Sequence, residues 1–313
     1  MHGFLARLIS FSLPCAIACT AVAAAVLSAE RWIYRARIRI SDEVRYVVIG
    51  DSQSACAMDP SVFPSMSNQA AEGLSLDQVL YKIRDLLDVN MDRDFTIVFD
   101  LSPSRLAAKL PPLTTADYAS HHALLNYLHA FDSRRQLGEP VRLFRDRIVR
   151  DGIKLIAREL HGGGHVKSRK RKPTPWGGFL REEGSRYLDA PDDAASSTAA
   201  YARSIATTCS EDDAFIRNVP LLNEIVRTVQ SRGKRISLVT TPWHRTLLEK
   251  LPPKQIARFR RTMDDFAHKY GVVWIDGLSW DAPDSAFLDQ NHLNADGARE
   301  FSAWASKRLS WNP

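Results

Sequence analysis

Cysteine is scarce: four occur in 313 residues, and Cys15 and Cys19 lie inside an apolar stretch. Cys56 and Cys209 remain, able to form one bridge in an oxidising compartment or to stay as buried thiols. There is neither a CxxC pair nor a His/Cys cluster with zinc spacing, so no metal site is expected. No internal repeat is visible, and a single domain is the economical reading. The longest run without charge is Leu8 to Ala29. At about 1.5 Å per residue a helix of that length crosses a hydrocarbon core of ~30 Å. A cleaved signal peptide is the rival reading of residues 1–29, but its apolar region is usually shorter, about 7–15 residues. An uncleaved membrane anchor is therefore preferred. Arg7 precedes the run, whereas Arg31, Arg35, Arg37 and Arg39 follow it. The positive-inside rule alone would put the main domain in the cytoplasm.

What remains is ordinary for a globular protein, with 45% hydrophobic and 25% charged residues, enough to bury a sizeable core. A net charge of +6 and a pI near 9.2 suit contact with anionic polymers or lipid headgroups without requiring either. Residues 30–43 read as a polar linker. Residues 46–49, 95–101, 236–240 and 272–276 are short apolar runs with strand character. Helical spacing marks 76–89, 213–230, 255–270 and 295–309, and 115–161 in two pieces broken near Gly138–Pro140. Strands alternating with helices predict an α/β fold: a three-layer α/β/α sandwich on a mostly parallel sheet, spanning 44–313. A helical and basic-loop insertion is expected at about 106–210. Its core, Lys167 to Lys172 followed by Pro173 and Pro175, reads as a solvated surface loop or as a contact for an anionic substrate or membrane surface. It lies far from any recognition module, so no nucleic-acid partner is expected.

Two motifs carry chemistry. Gly50-Asp51-Ser52 follows the first strand, where open α/β sheets build their sites. Asp and Ser there also make ordinary turns and helix caps. Asp289-Gln290-Asn291-His292 precedes the last helix, which Asn294 or Asp296 can cap. A serine hydroxyl needs a base to take its proton. Imidazole does this near neutral pH, with a carboxylate to hold the ring.

A strand leading into Gly-Asp-Ser, with DxxH before the last helix, resembles blocks I and V of the SGNH (GDSL-like) hydrolases. Asn68 and Gly73 are spaced like that family's block II. The resemblance implies Ser52 as nucleophile, His292 as base, Asp289 as its partner, and the Ser52 and Gly73 amides as oxyanion donors. The block III asparagine is replaced by Ser104, either a third donor or the cap of the following helix. Asp51, Asn68 and His244 are candidate substrate contacts, although His244 reads more readily as a surface histidine. Trp176 to Phe179 forms a cap over the site or an ordinary turn. No cofactor is needed.

An anchored SGNH domain lacking that asparagine is similar to the accessory proteins that acylate bacterial surface polymers. That similarity implies an extracytoplasmic (periplasmic) domain, a carbohydrate or other ester substrate, and a membrane-bound acyltransferase as partner. The expected function is serine-dependent acyl transfer or ester hydrolysis on a surface polysaccharide. The alternatives are a lipase or thioesterase on small esters and a non-catalytic binding module of the same fold.

Overall fold

Runs rich in β-branched and aromatic side chains favour extended chain because such residues pack well on a pleated surface. In the computed structural model they form five parallel strands. The structure describes residues 32–108, 178–211 and 213–309, with 21, 22, 25, 28 and 29. The chain divides into two compact units, Met1–Arg37 with Leu113–Lys170 and Ile38–Pro112 with Arg171–Pro313. All elements named here belong to the second unit.

In chain order they are β1 (Tyr46–Ile49), α1 (Ser52–Ala57), β2 (Met66–Asn68), α2 (Leu76–Val89), β3 (Thr96–Asp100) and α3 (Pro103–Ala107). After the undescribed segment come α4 (Arg186–Asp189), α5 (Pro191–Thr208), α6 (Val219–Ser231), β4 (Arg235–Thr240), α7 (Arg245–Lys250), α8 (Pro253–Tyr270), β5 (Val273–Asp276) and α9 (Ala295–Leu309). The strand order is β2-β1-β3-β4-β5, and every pairing is parallel, with Val48 opposite Val98 and Phe99 opposite Leu238.

Successive strand side chains point to opposite faces. Val48, Val98, Val239 and Ile275 share a core with Ala55 and Met58 of α1 and with Ala298, Phe301 and Ala305 of α9. Their neighbours Val47, Ile49, Ile97, Phe99 and Leu238 are fully buried too, so both faces are covered. This is a five-stranded parallel sheet flanked by helices, consistent with a three-layer sandwich. The four expected strands are all present, and β2 is added to them. It is three residues long and carries only Met66 as a large apolar side chain, too short for an alternating pattern.

The basic run 167–172, the two helices expected in 115–161 and Trp176 lie outside the described residues, as does nearly all of Leu8–Ala29. Among the described residues no helix is long and apolar enough to cross a membrane. Cys56 and Cys209 are free, buried thiols, and burial pushes both thiols up from their ordinary range. The amides of Gly178 and Leu180 donate to Ala70 O (2.9 Å) and Ala55 O (2.8 Å).

The chain leaves β1 in one direction to reach β2, then crosses back to place β3 on the other side of β1. The carboxyl ends of β1 and β3 thus flank a topological switch point, where helices depart in opposite directions and a crevice opens.

Candidate active site

The turn after β1 exists because residue 50 is glycine. A Cβ there would lie 2.1 Å from Ser54 Oγ and 2.8 Å from Asp100 Cβ, distances that real side chains do not tolerate. Glycine lets α1 and β3 crowd the strand end. Asp51 then caps α1, its Oδ1 accepting from Gln53 N at 2.9 Å. Ser52 is the first helical residue and is partly exposed. Its backbone amide belongs to the first turn, where no intrahelical acceptor is available.

The opposite wall is the loop before α9. A bridge between Phe287 and Leu293 closes it, and Leu288 N donates to His292 O at 2.9 Å. Inside this turn Asp289 Oδ1 accepts from the amides of Asn291 (3.1 Å) and His292 (3.0 Å). Asn294 caps α9 by accepting from Gly297 N, and its amide donates to Gly184 O and Ser285 O. Of the two expected caps, Asn294 is the one so bonded. A further tie comes from His244, whose amide donates to Gln290 O at 2.9 Å.

His292 Nε2 lies 2.8 Å from Ser52 Oγ, and His292 Nδ1 lies 2.9 and 3.0 Å from the two carboxylate oxygens of Asp289. An ionised carboxylate only accepts. Nδ1 therefore carries the proton, and Nε2 is the free acceptor facing the serine hydroxyl. Burial works against the charged imidazolium, but the hydrogen bond and negative charge of Asp289 outweigh it and raise the His292 pKa above 6.5. Burial likewise opposes ionisation of Asp289. The His292 bond and charge and the two loop amides reverse that, holding the carboxyl below its ordinary range. The two shifts agree: the pair favours an oriented imidazole that gains a proton readily. Such a geometry can accept the serine proton as the oxygen attacks an electrophilic carbon, then return it to a leaving group.

The other candidates are placed as follows. Asn68 is 7% exposed. Its Nδ2 donates to Ser54 O and Met58 O, and its Oδ1 accepts from Ala70 N, all within 2.9 Å. It laces β2 to α1. Gly73 sits in the exposed turn between β2 and α2 with φ 69°, a left-handed conformation that favours glycine. His244 is buried at 1% exposure, which removes the surface reading. It stacks on Tyr187 with ring centres 3.6 Å apart. Nδ1 accepts from Thr246 N at 3.2 Å, and Nε2 lies 3.2 Å from an Asp284 carboxylate oxygen without the alignment of a hydrogen bond. Burial first of all lowers its pKa.

The cap of α3 is Ser102, whose side chain accepts from Arg105 N at 3.4 Å; Ser104 stands two residues further on, inside the helix. Its hydroxyl lies 3.0 Å from that of Ser102. Two neighbours went unrecognised in the sequence. Tyr201, on α5, accepts from Asn291 Nδ2 at 3.2 Å. Arg105 pairs with Asp51 at 3.5 Å and donates to Asp100 O and Leu74 O. For Tyr201 the available signal was helical spacing after Pro191, through Ala194, Thr198, Ala202 and Ile205, the face that α5 buries.

Among the described residues no group of three or more His, Cys, Asp or Glu side chains could hold a metal ion. No protein-family model matches this sequence, and no curated protein matches it either.

Proposed function

We propose that the protein is a serine-dependent acyl-transfer or ester-hydrolysing enzyme of the SGNH type. One observation carries the reading: the hydrogen-bonded line from Ser52 Oγ through the His292 ring to Asp289, at the switch point of a parallel sheet. Ser52 attacks the acyl carbon while His292 Nε2 takes its proton. His292 then protonates the departing alcohol, leaving an acyl-serine that water or a sugar hydroxyl resolves. The amides of Ser52 and Gly73 are assigned to the developing oxyanion, each donor of this kind being worth roughly 3–4 kcal/mol.

The residue sequence around Ser52, Asn68, Gly73 and Asp289–His292 supports the family assignment, as does the α/β arrangement. By the same resemblance the acceptor is a surface polysaccharide, with a membrane-bound acyltransferase as partner. The N-terminal apolar run then anchors the domain on the extracytoplasmic side, and the four arginines after that run count against this orientation.

The test is turnover of p-nitrophenyl acetate by the full chain and by Ser52→Ala. The reading expects release of nitrophenolate by the wild-type protein and a loss of about a million-fold in the variant. A wild-type rate equal to background, or a variant that keeps its rate, overturns it in favour of a binding module or a different nucleophile.

A further inference from the structure

The stretch between β4 and α7, Thr241-Pro242-Trp243-His244, is buried throughout, and it touches both halves of the candidate site. A buried indole N–H needs an acceptor. Trp243 Nε1 finds one in Gln53 Oε1 at 2.9 Å, and Thr241 Oγ1 lies 3.2 Å from the same oxygen. Gln53 is itself buried and directly follows Ser52. The residue after Trp243 is His244, whose amide donates to Gln290 O, also at 2.9 Å. Gln290 lies two residues before His292. Two hydrogen bonds and one peptide bond therefore lead from the neighbour of Ser52 to the loop that carries His292. The link is stiff. Pro242 fixes one backbone dihedral and favours an extended Thr241, while the His244 ring stacks on Tyr187 and meets Phe287 edge-on.

Other ties grip α1 elsewhere. Ser302 of α9 bonds Ala57 O and Asp59 N, at the far end of α1. Arg105 ties Asp51 to the segments after β2 and β3. With six residues, α1 is too short to hold its own orientation, so the placing of its first residue depends on such ties.

We propose that Gln53 and Trp243 are positioning residues that set the separation between Ser52 Oγ and His292 Nε2. This deepens the reading of Ser52 as nucleophile and rests on it. When Ser52 Oγ bonds to the acyl carbon, its proton passes to His292 Nε2, and that transfer needs the two atoms within hydrogen-bond reach, as they are at 2.8 Å. Gln53 fixes where α1 presents the hydroxyl. The His244 amide fixes where the DxxH loop presents the imidazole, and the peptide bond between Trp243 and His244 sets one against the other. Asp289 sits on the same loop as His292 and bonds its Nδ1, so its hold on the ring is independent of this link. The consequence is selective: breaking the link costs rate without moving the pH at which His292 titrates.

Gln53→Met, Trp243→Phe and the double variant are assayed with p-nitrophenyl acetate across pH and with a fluorophosphonate. Met keeps the length of the side chain without the acceptor, and Phe keeps a buried ring without the N–H. Gln53→Met is expected to lower kcat and kcat/KM together by about 10- to 100-fold with KM little changed, the scale on which a misplacement of about 1 Å costs rate. Trp243→Phe, which leaves Thr241 beside the Gln53 oxygen, is expected to lose less. Labelling of Ser52 should slow by the same factors, and the inflection of the pH profile should stay at its wild-type position. The double variant should lose no more than Gln53→Met, since both changes break one bond. The proposal is overturned if Gln53→Met keeps kcat within about 2-fold of wild type, whatever its melting temperature. It is equally overturned if the inflection moves to lower pH, because the variants then act on the Asp289–His292 pair, or if the two losses multiply in the double variant. Should Gln53→Met not fold, Trp243→Phe decides alone by the same rate and inflection. Wild-type protein with no Ser52-dependent turnover removes the nucleophile reading and this proposal together. Failure of the Gln53 link alone leaves Ser52 in place.

Discussion

The Arg105 guanidinium lies 3.5 Å from the carboxylate of Asp51, the residue immediately before Ser52. Both side chains are nearly buried, at 9% and 12% exposure. Arg105 also donates to Asp100 O at the end of β3 and to Leu74 O beyond β2. One planar fork thus ties together the chain segments that follow three neighbouring strands. Removing it strands a buried carboxylate and two carbonyls. Arg105→Ala is expected to lower the unfolding free energy by about 3–5 kcal/mol. Arg105→Lys should recover only part of this, because a point charge cannot reach three acceptors in one plane. Urea melts of both variants check the prediction, and an Ala variant within about 1 kcal/mol of wild type would sink it.

A serine-reactive fluorophosphonate is expected to label Ser52, and His292→Ala to suppress that labelling. The 2.8 Å contact between Nε2 and Oγ is the reason, because the hydroxyl is a weak nucleophile without a base. Mass spectrometry of the labelled peptide locates the adduct. Undiminished labelling in the His292 variant would assign the base elsewhere.

Ester turnover should rise with pH through an inflection above 6.5, since His292 must be neutral to accept a proton and Asp289 raises its pKa. Asp289→Asn removes the charge that favours the imidazolium, so the inflection should move to lower pH while the plateau rate falls. The pH dependence of kcat/KM for both proteins reads this directly. An inflection that stays put in Asp289→Asn contradicts the assigned coupling.

Asp100 at the end of β3 is fully buried. Burial, then the charge of Asp51, hold its carboxyl above the ordinary 3.8, against the opposing pull of Arg105. Between that ordinary value and the raised one, the folded protein binds a proton that the unfolded chain has released. Stability therefore falls as pH rises through the window. Asp100→Asn has no proton to lose and keeps an oxygen for the Thr241 hydroxyl, 3.4 Å away. Its stability should depend less steeply on pH across this range, as denaturant midpoints at several pH values would reveal. An unchanged slope would rule out Asp100 as its source.

Gly50→Ala should be among the most damaging small substitutions, because the added methyl meets Ser54 Oγ and Asp100 Cβ at the strand end. Overpacking of this kind costs about 1–3 kcal/mol, and it also displaces the residues that aim Ser52. A fall in both melting temperature and ester turnover is the expected result, measured by thermal melts beside kinetics.

The sequence made the four longer strands and the long helices legible because each buries a continuous apolar run or stripe. The Ser52 and DxxH segments were legible because Ser52 and His292 sit next to element ends, where spacing is readable. The rest depended on pairing over distance. β2 is too short to carry a period. α5 buries Ala194, Thr198, Ala202 and Ile205, a stripe in which only Ile205 is a large apolar side chain, so the helix is faint in the sequence and Tyr201 on it carried no label. Ser104 was open to reading as the helix cap, yet Ser102 takes that role because the helix begins at Pro103. His244 reads as a polar loop residue in the chain and is buried only because Tyr187 and Phe287 close on it.

The Ser52–His292 hydrogen bond joins positions 240 residues apart, and no shorter piece of chain can hold it. At a synthesis rate of about 5–20 residues per second, the serine waits roughly 12–48 s for its histidine. Throughout that interval the growing polypeptide carries an ordinary alcohol, inert toward the esters and acyl donors around it. On the proposed reading, the hydroxyl gains its base only once the loop before α9 has reached the sheet.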